Sequence, residues 1–188
     1  MKYSRWLAVV FLCLPISALA FFKPVRVLIP EAFAVHCNEQ NLCIDDLSQL
    51  AAAESLLNDS KSYLATQWGL AIGEPKIIFC STEQCRSAFG LSNKAGFTLG
   101  SFAIAIAPRG WQQHYVAHEL IHHWQADNFG SLVLLSGEQW LIEGMAYALS
   151  NDPRQELHQP FESYRQRFND WYKLNAGNPL QHSLAGEL

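Results

Sequence analysis

Residues 118–122 read His-Glu-Leu-Ile-His, and this short run constrains the chain more than any other. It lies between two sets of breakers, Pro108 with Gly110 and then Gly130. The other side chains of the segment are largely apolar (Val116, Ala117, Leu120, Ile121, Trp124, Ala126). The spacing predicts a helix over residues 111–128. Positions four apart on a helix differ by about 40° in azimuth and about 6 Å in height. His118 and His122 therefore point the same way, with Glu119 offset beside them. A second apolar helix is predicted over residues 137–150, and in its middle stands Glu143, within Trp140-Leu141-Ile142-Glu143-Gly144-Met145-Ala146. A carboxylate in such a setting demands a partner, since burying it unpaired is costly. The segment between the helices, Asp127 to Gly137, is long enough to bring the second back against the first. Gly144, without a side chain, permits a close approach there. His118, His122 and Glu143 are then candidate ligands of one metal ion. Two imidazoles and a carboxylate are the ligand set of catalytic zinc, with a fourth position open for water. Glu119, off the ligand direction, reaches that water rather than the metal.

The remainder of the chain can supply a core around these helices. Of 188 residues, 49% are apolar and only 16% charged, with six Trp, six Tyr and eleven Phe. That composition excludes a disordered chain. The formal charge is -4 and no basic run is interleaved with aromatics, so a nucleic-acid partner is not expected. Residues 25–37 are apolar and rich in β-formers, with Pro30 confining any central strand to the part before it. Asp45 and Asp46 can cap a helix that runs to about Trp68, with Leu47, Leu50, Ala53, Leu57 and Leu64 at helical spacing. A short buried strand is predicted at Ile77–Cys80 and a short helix around Cys85–Phe89. Gly96–Ala107 alternates, with a phase change near Gly100, and reads as two strands or one bent strand. A last helix spans Phe161–Leu174, and the tail from Asn175 shows no pattern. There is no internal repeat and no linker, so residues 23–188 are expected to form one domain.

Residues 1–22 stand apart. Lys2 and Arg5 precede the apolar stretch Trp6–Leu14, and Ala18-Leu19-Ala20 offers a small-x-small cleavage pattern. This is a signal peptide or, if uncleaved, an anchor at the short limit of a spanning helix. Loss of the segment removes two of the 13 basic side chains and takes the formal charge from -4 to -6. The chain is thus expected to be exported, to a periplasm or the extracytoplasmic face of a membrane, and held there through residues 6–22 if the leader stays. Export gives the four later cysteines a meaning. Cys37, Cys43, Cys80 and Cys85 allow three pairings. The two local ones close short polar loops suited to disulfides in an oxidising compartment. A four-thiolate zinc site is the alternative, but five residues separate Cys37 from Cys43 where two to four are usual.

The pair HELIH (118–122) and WLIEGMA (140–146) resembles the thermolysin-type (gluzincin) metallopeptidases, and more closely their small peptidase-MA-like relatives. The resemblance covers residues 97–150. It implies an α+β, compact zincin-like domain, with a short mixed sheet packed on the HExxH helix and on a following Glu-bearing helix. It implies one Zn2+ ion on His118, His122 and Glu143, with Glu119 as general base, and a peptide or protein substrate. It further implies that an edge strand lies along the cleft and pairs with extended substrate, for which Phe102–Ala107 is the candidate. Two departures stand out. Many gluzincins have an Asp four residues after the ligand glutamate, where this chain has Tyr147. The larger enzymes take an oxyanion-stabilising His or Tyr from a separate C-terminal domain. Within these 188 residues Tyr147, on the helical face of Glu143, is the first candidate for that role, and Tyr115 the second.

Four nearby residues have weaker readings. His123 points about 100° away from His122 and is expected at the surface or in support of a ligand. His114 shares the ligand face and either lines the cleft or meets solvent. Arg109, between strand and helix at the cleft mouth, has a structural salt bridge as its favoured reading and a substrate carboxylate as the other. Asp127 is out of phase with both ligand histidines. The expected chemistry is zinc-dependent hydrolysis of peptide bonds. The rival is an exported, zinc-stabilised protein-binding or envelope-assembly module without activity, against which the presence of Glu119 argues, because a structural site needs no base.

Overall fold

Strict alternation along three short strands sets the architecture. Leu42 and Ile44, Ile77 and Phe79, and Ile104 and Ile106 face one side of a sheet, all of them buried. Cys43, Ile78, Ala103 and Ala105 face the other side and are equally buried. Covering both faces in this way is the usual condition for parallel strands.

The computed structural model describes residues 22–175 and 179–187. Its strands are β1 (His36–Cys37), β2 (Leu42–Ile44), β3 (Lys76–Phe79), β4 (Gly96–Leu99) and β5 (Ala103–Ile106). They form one mixed sheet in the order β1-β2-β3-β5-β4. β2, β3 and β5 are parallel, while β1 and β4 pair antiparallel at the two edges. The helices are α1 (Leu50–Trp68), α2 (Glu83–Ala88), α3 (Gln113–Phe129), α4 (Val133–Ser136), α5 (Gln139–Leu149), α6 (Phe161–Leu174) and α7 (Leu180–Ala185). The larger core lies between one sheet face and α1, α3 and α5, and the smaller one under α2 and the N-terminal turns. The expected α+β class with a mixed sheet holds.

Several elements depart from expectation. The apolar N-terminal stretch forms two 3-10 turns, Lys23–Leu28 and Pro30–Phe33, in place of a strand. Pro24 and Pro30 each occupy the first turn, where the missing N–H costs nothing. Lys23 Nζ and Arg26 Nη1 then donate to the carbonyls of Ser87 and Ala88, at 2.9 and 2.8 Å, at the C-terminal end of α2. A positive charge is favourable there. Asp46 accepts from Ser48 N at 2.9 Å ahead of α1, but Asp45 is drawn away to the backbone of Ser81 and Thr82. Residues 96–107 form two strands, turned at Gly100, whose φ of +54° suits glycine and whose missing Cβ leaves room for Ser131. The edge strand on this side of the sheet is therefore β4. β5, offered above as the edge, is paired on both sides and fully buried. The tail also differs, since Leu184 of α7 is buried against the main core.

Gly144 does allow a close approach, but to α6 rather than α3. A Cβ at this position would lie 2.4 Å from the Tyr164 carbonyl oxygen and 3.0 Å from Phe168 Cβ. Both local disulfides are present, Cys37–Cys43 across the β1–β2 hairpin and Cys80–Cys85 leading into α2. Of the expected leader, residues 1–21 lie outside the described residues. Among the described residues no helix is long and apolar enough to cross a membrane.

Two outcomes are expected. Gly144→Ala, which in an open helix would stabilise by about 1 kcal/mol, destabilises here by about 1–3 kcal/mol through overpacking, read as a lower urea midpoint. The four cysteines resist alkylation until reduced. Reduction costs about 2 kcal/mol per bond by loop entropy, read from the same urea curves.

Candidate metal centre

The helix α3 is buried almost all round, with Val116, Ala117 and every residue from Glu119 to Ala126 buried. The sheet covers one flank, α1 another and α5 a third. Polar groups inside such a helix must satisfy one another. His118 Nε2 and His122 Nε2 lie 3.1 Å apart, with the rings edge to face. Glu143 reaches over from α5, with one carboxylate oxygen 3.6 Å from His118 Nε2 and the other 3.6 Å from His122 Nε2. The three groups form a cluster able to hold a metal ion. An ideal tetrahedron with arms of about 2.0–2.1 Å has edges of about 3.3–3.4 Å, so the separations fit a small tetrahedral ion with little movement. The expected ligand residues are thus brought together. A second cluster, Glu31 with Cys37 and Cys43, offers no thiolate, because its sulfurs are bonded to each other.

Gln125, which sequence reasoning missed, sets the direction of His122. Its Oε1 accepts from His122 Nδ1 at 2.9 Å, and its Nε2 donates to the Ile142 carbonyl at 3.0 Å. Fixing Nδ1 as the donor turns the Nε2 lone pair toward the cluster. The available signal was its spacing, three residues after His122 on the same helical face. On the other imidazole of the cluster, the Tyr147 ring packs edge to face on His118, centroids 4.5 Å apart.

Burial strips water from the whole group. It holds His118 neutral, with its pKa brought down to about 3. His122 feels the same burial, but Glu143, Glu119 and Gln125 outweigh it and raise the ring to about 9. Burial alone would raise Glu143, yet His122 and His118 bring it down to about 2. The metal-free cluster therefore favours a positive charge on the His122 side of the ring pair, answered by the Glu143 carboxylate.

Glu119 stands outside this set. Thr98 Oγ1, on the edge strand β4, donates to Glu119 Oε2 at 2.7 Å and lies 3.0 Å from the Glu119 carbonyl oxygen. Gly96 makes the space, since a Cβ there would come within 2.8 Å of Glu119 Cγ and 3.0 Å of Oε1. Burial pushes the Glu119 pKa up, against the pull of His122 and Thr98.

These groups line a cleft of about 550 Å³ between β4 and the α5 side. Tyr115, Tyr147 and Arg109 also line it, and Arg109 has no carboxylate partner among the described residues, so its favoured salt-bridge reading fails. Arg154, unforeseen from sequence, sits 5.7 Å from both tyrosine rings and is ion-paired with Asp152. Burial, then Glu143, raises the Tyr147 hydroxyl to about 12, so it remains a donor. His114 packs on Tyr115 with the rings tilted, centroids 4.1 Å apart, and does not line the cleft. His123 is buried rather than superficial, 3.7 Å from the Asp127 carboxylate. Comparison with known protein families, curated proteins and solved structures finds no match to this chain.

Proposed function

We propose that the protein is an exported zinc metallopeptidase, similar in its site to the thermolysin-type enzymes. The observation that carries this reading is Glu119. A second buried carboxylate, held by its own hydrogen-bond donor, opens on the same cleft as the ligands yet is not one of them. A zinc site that only stabilised a binding module would have no use for it. The two disulfides support export, since such bonds persist in oxidising compartments. Two imidazoles and one carboxylate favour zinc over the harder cations, which take oxygen ligands.

His118 Nε2, His122 Nε2 and the Glu143 carboxylate would hold the ion. Bound zinc supplies a Lewis acid that brings the pKa of a coordinated water toward neutrality and polarises a carbonyl. The chain does the rest. Thr98 occupies Oε2 of Glu119, which leaves Oε1 to take the proton of the attacking water. Burial raises the affinity of that carboxylate for a proton and so suits it to the task at neutral pH. Glu119 then delivers the proton to the leaving amine. The Tyr147 hydroxyl, kept protonated and lining the cleft, is the candidate donor to the developing oxyanion. The free edge of β4 binds the substrate main chain by strand addition.

Protein purified without a histidine tag is expected to hold about one zinc per chain, most of it lost in His118→Ala and in His122→Ala. Less than a tenth of an equivalent after zinc supplementation would refute the site. At pH 6, zinc uptake by the metal-free protein should release about one proton, from His122, because only the neutral ring binds metal. Calorimetry in two buffers of different ionisation enthalpy reads that number, and no release would show the ring to be neutral. Glu119→Gln should keep zinc and thermal stability while losing about 10²- to 10⁴-fold in cleavage of a broad peptide library. Glu143→Gln should lose zinc affinity as well. Equal rates for wild type and Glu119→Gln would remove Glu119 from the mechanism.

A further inference from the structure

The cleft differs in chemistry at its two ends. β4 enters it at Gly96, just after Lys94, and the chain around Gly110 packs against the same end, with its Cα so close that a Cβ would meet the Ala95 carbonyl oxygen. Arg109 and Lys94, each next in sequence to this backbone contact, therefore belong to the same end of the cleft. Both are exposed and line the cleft, and neither has a carboxylate at ion-pair distance among the described residues, while the Lys94 charge acts at longer range on Glu119 and Glu143. Tyr115 and Arg154 belong to this end too, because α3 runs alongside β4 and Tyr115 lies one turn before the Glu119–Thr98 contact. At the other end the β4–β5 turn meets the start of α4, with Ser101 Oγ and Ser131 Oγ 3.1 Å apart. There the cleft is lined by Leu134, Leu135 and Ile142. Leu135 is 83% exposed, and Phe102 and Leu132, which flank the serine pair, are 62% and 73% exposed. Side chains this apolar and this bare beside a cleft mark a surface that is covered in use.

The strand direction turns these two ends into an order. A peptide adding to β4 antiparallel, the pairing with the better hydrogen-bond geometry, runs from the Leu99 end to the Gly96 end. We infer that the cleft selects extended peptides with an apolar side chain toward their N-terminus, on Leu134 and Leu135, and a carboxylate toward their C-terminus, on Lys94 and Arg109. This rests on the peptidase reading and deepens it. The length of β4 alone is about 10 Å, so the two determinants lie about three to five residues apart. Glu119 touches Gly96 and Thr98, between the ends, and the scissile bond falls between the determinants. The carboxylate is that of an Asp or Glu side chain or of the chain terminus itself.

The test uses fluorescein-labelled seven-residue peptides, titrated by anisotropy into the full zinc-loaded protein carrying Glu119→Gln. One amidated peptide has Phe near its N-terminus and two Glu near its C-terminus. Others reverse that order, replace Glu with Lys, or replace Glu with Gln under a free or an amidated terminus. The first is expected to bind about tenfold tighter than the reversed and Lys peptides. The advantage should shrink as salt is raised. It should vanish in a Lys94→Glu, Arg109→Glu double variant whose zinc content and melting temperature are unchanged. Tight binding of the Gln peptide only with a free terminus assigns the carboxylate to the chain end, and tight binding only with Glu assigns it to the side chain. Equal binding of all peptides, or preference for the reversed order, overturns the inference. If wild type still hydrolyses a denatured protein in that case, the peptidase reading stands without it. No peptide binding and no hydrolysis by zinc-loaded wild type overturns both.

Discussion

Two imidazole nitrogens face each other across 3.1 Å inside a helix that has almost no solvent side. His122 Nε2 is an acceptor while the ring is neutral, because its Nδ1 donates to Gln125, so the pair is held by an N–H from His118 Nε2, by an added proton or by a metal ion. Glu143 answers such a charge from α5, and Gln125 ties the same two helices through a ring nitrogen on one and a carbonyl on the other. The contact between α3 and α5 is thus fixed at polar points within an apolar interface, where an unpartnered group is costly. Much of the remaining architecture serves to keep α3 enclosed.

That enclosure links the sheet to the chemistry. β4 is an edge strand, and its Thr98 and Gly96 face α3, one bonding to Glu119 and the other making room for it. On the peptidase reading proposed above, the strand that would offer its backbone to a substrate is the same strand that holds Glu119. Displacement of β4 would move Glu119 Oε2 with it. The Ser101–Ser131 contact pins the far end of the strand to the start of α4, which restrains such displacement.

The candidate ligand cluster was legible in the sequence because helical spacing alone aligns His118 with His122 and because Glu143 is an ionised group in an otherwise apolar run. The parallel strands around Ile77 and Ile104 were legible as short apolar runs, and Phe161–Leu174 as a periodic amphipathic helix. The edge was misplaced because periodicity reports burial, whereas pairing is a long-range property. Nothing local says that Ala103–Ile106 lies between two strands while Gly96–Leu99 has one neighbour. The N-terminal turns escaped notice because their partners are carbonyls more than sixty positions away, at Ser87 and Ala88. Arg154 and Thr98 were missed for the same reason, since each acquires meaning only from side chains on other elements. Gly144 was read correctly as a point of close approach, but which helix approaches depends on the fold.

The strongest physical argument for catalysis is the separation of the two carboxylates on this cleft. Both are desolvated, and desolvation alone would raise both. Glu143 sits against the charge on His122, which brings its pKa down to about 2 and keeps it ionised, as a ligand must be. Glu119 feels the His122 charge without an ion-pair contact and takes its hydrogen bond from one neutral hydroxyl, so burial prevails and its pKa rises. Neighbouring acids driven in opposite directions by their surroundings are how a single site divides the work of holding charge from the work of moving protons. If the site were only a structural clamp, the cheaper solution would be an apolar residue at position 119, packed against Gly96. The chain instead buries a carboxylate there and supplies it with a donor from the strand.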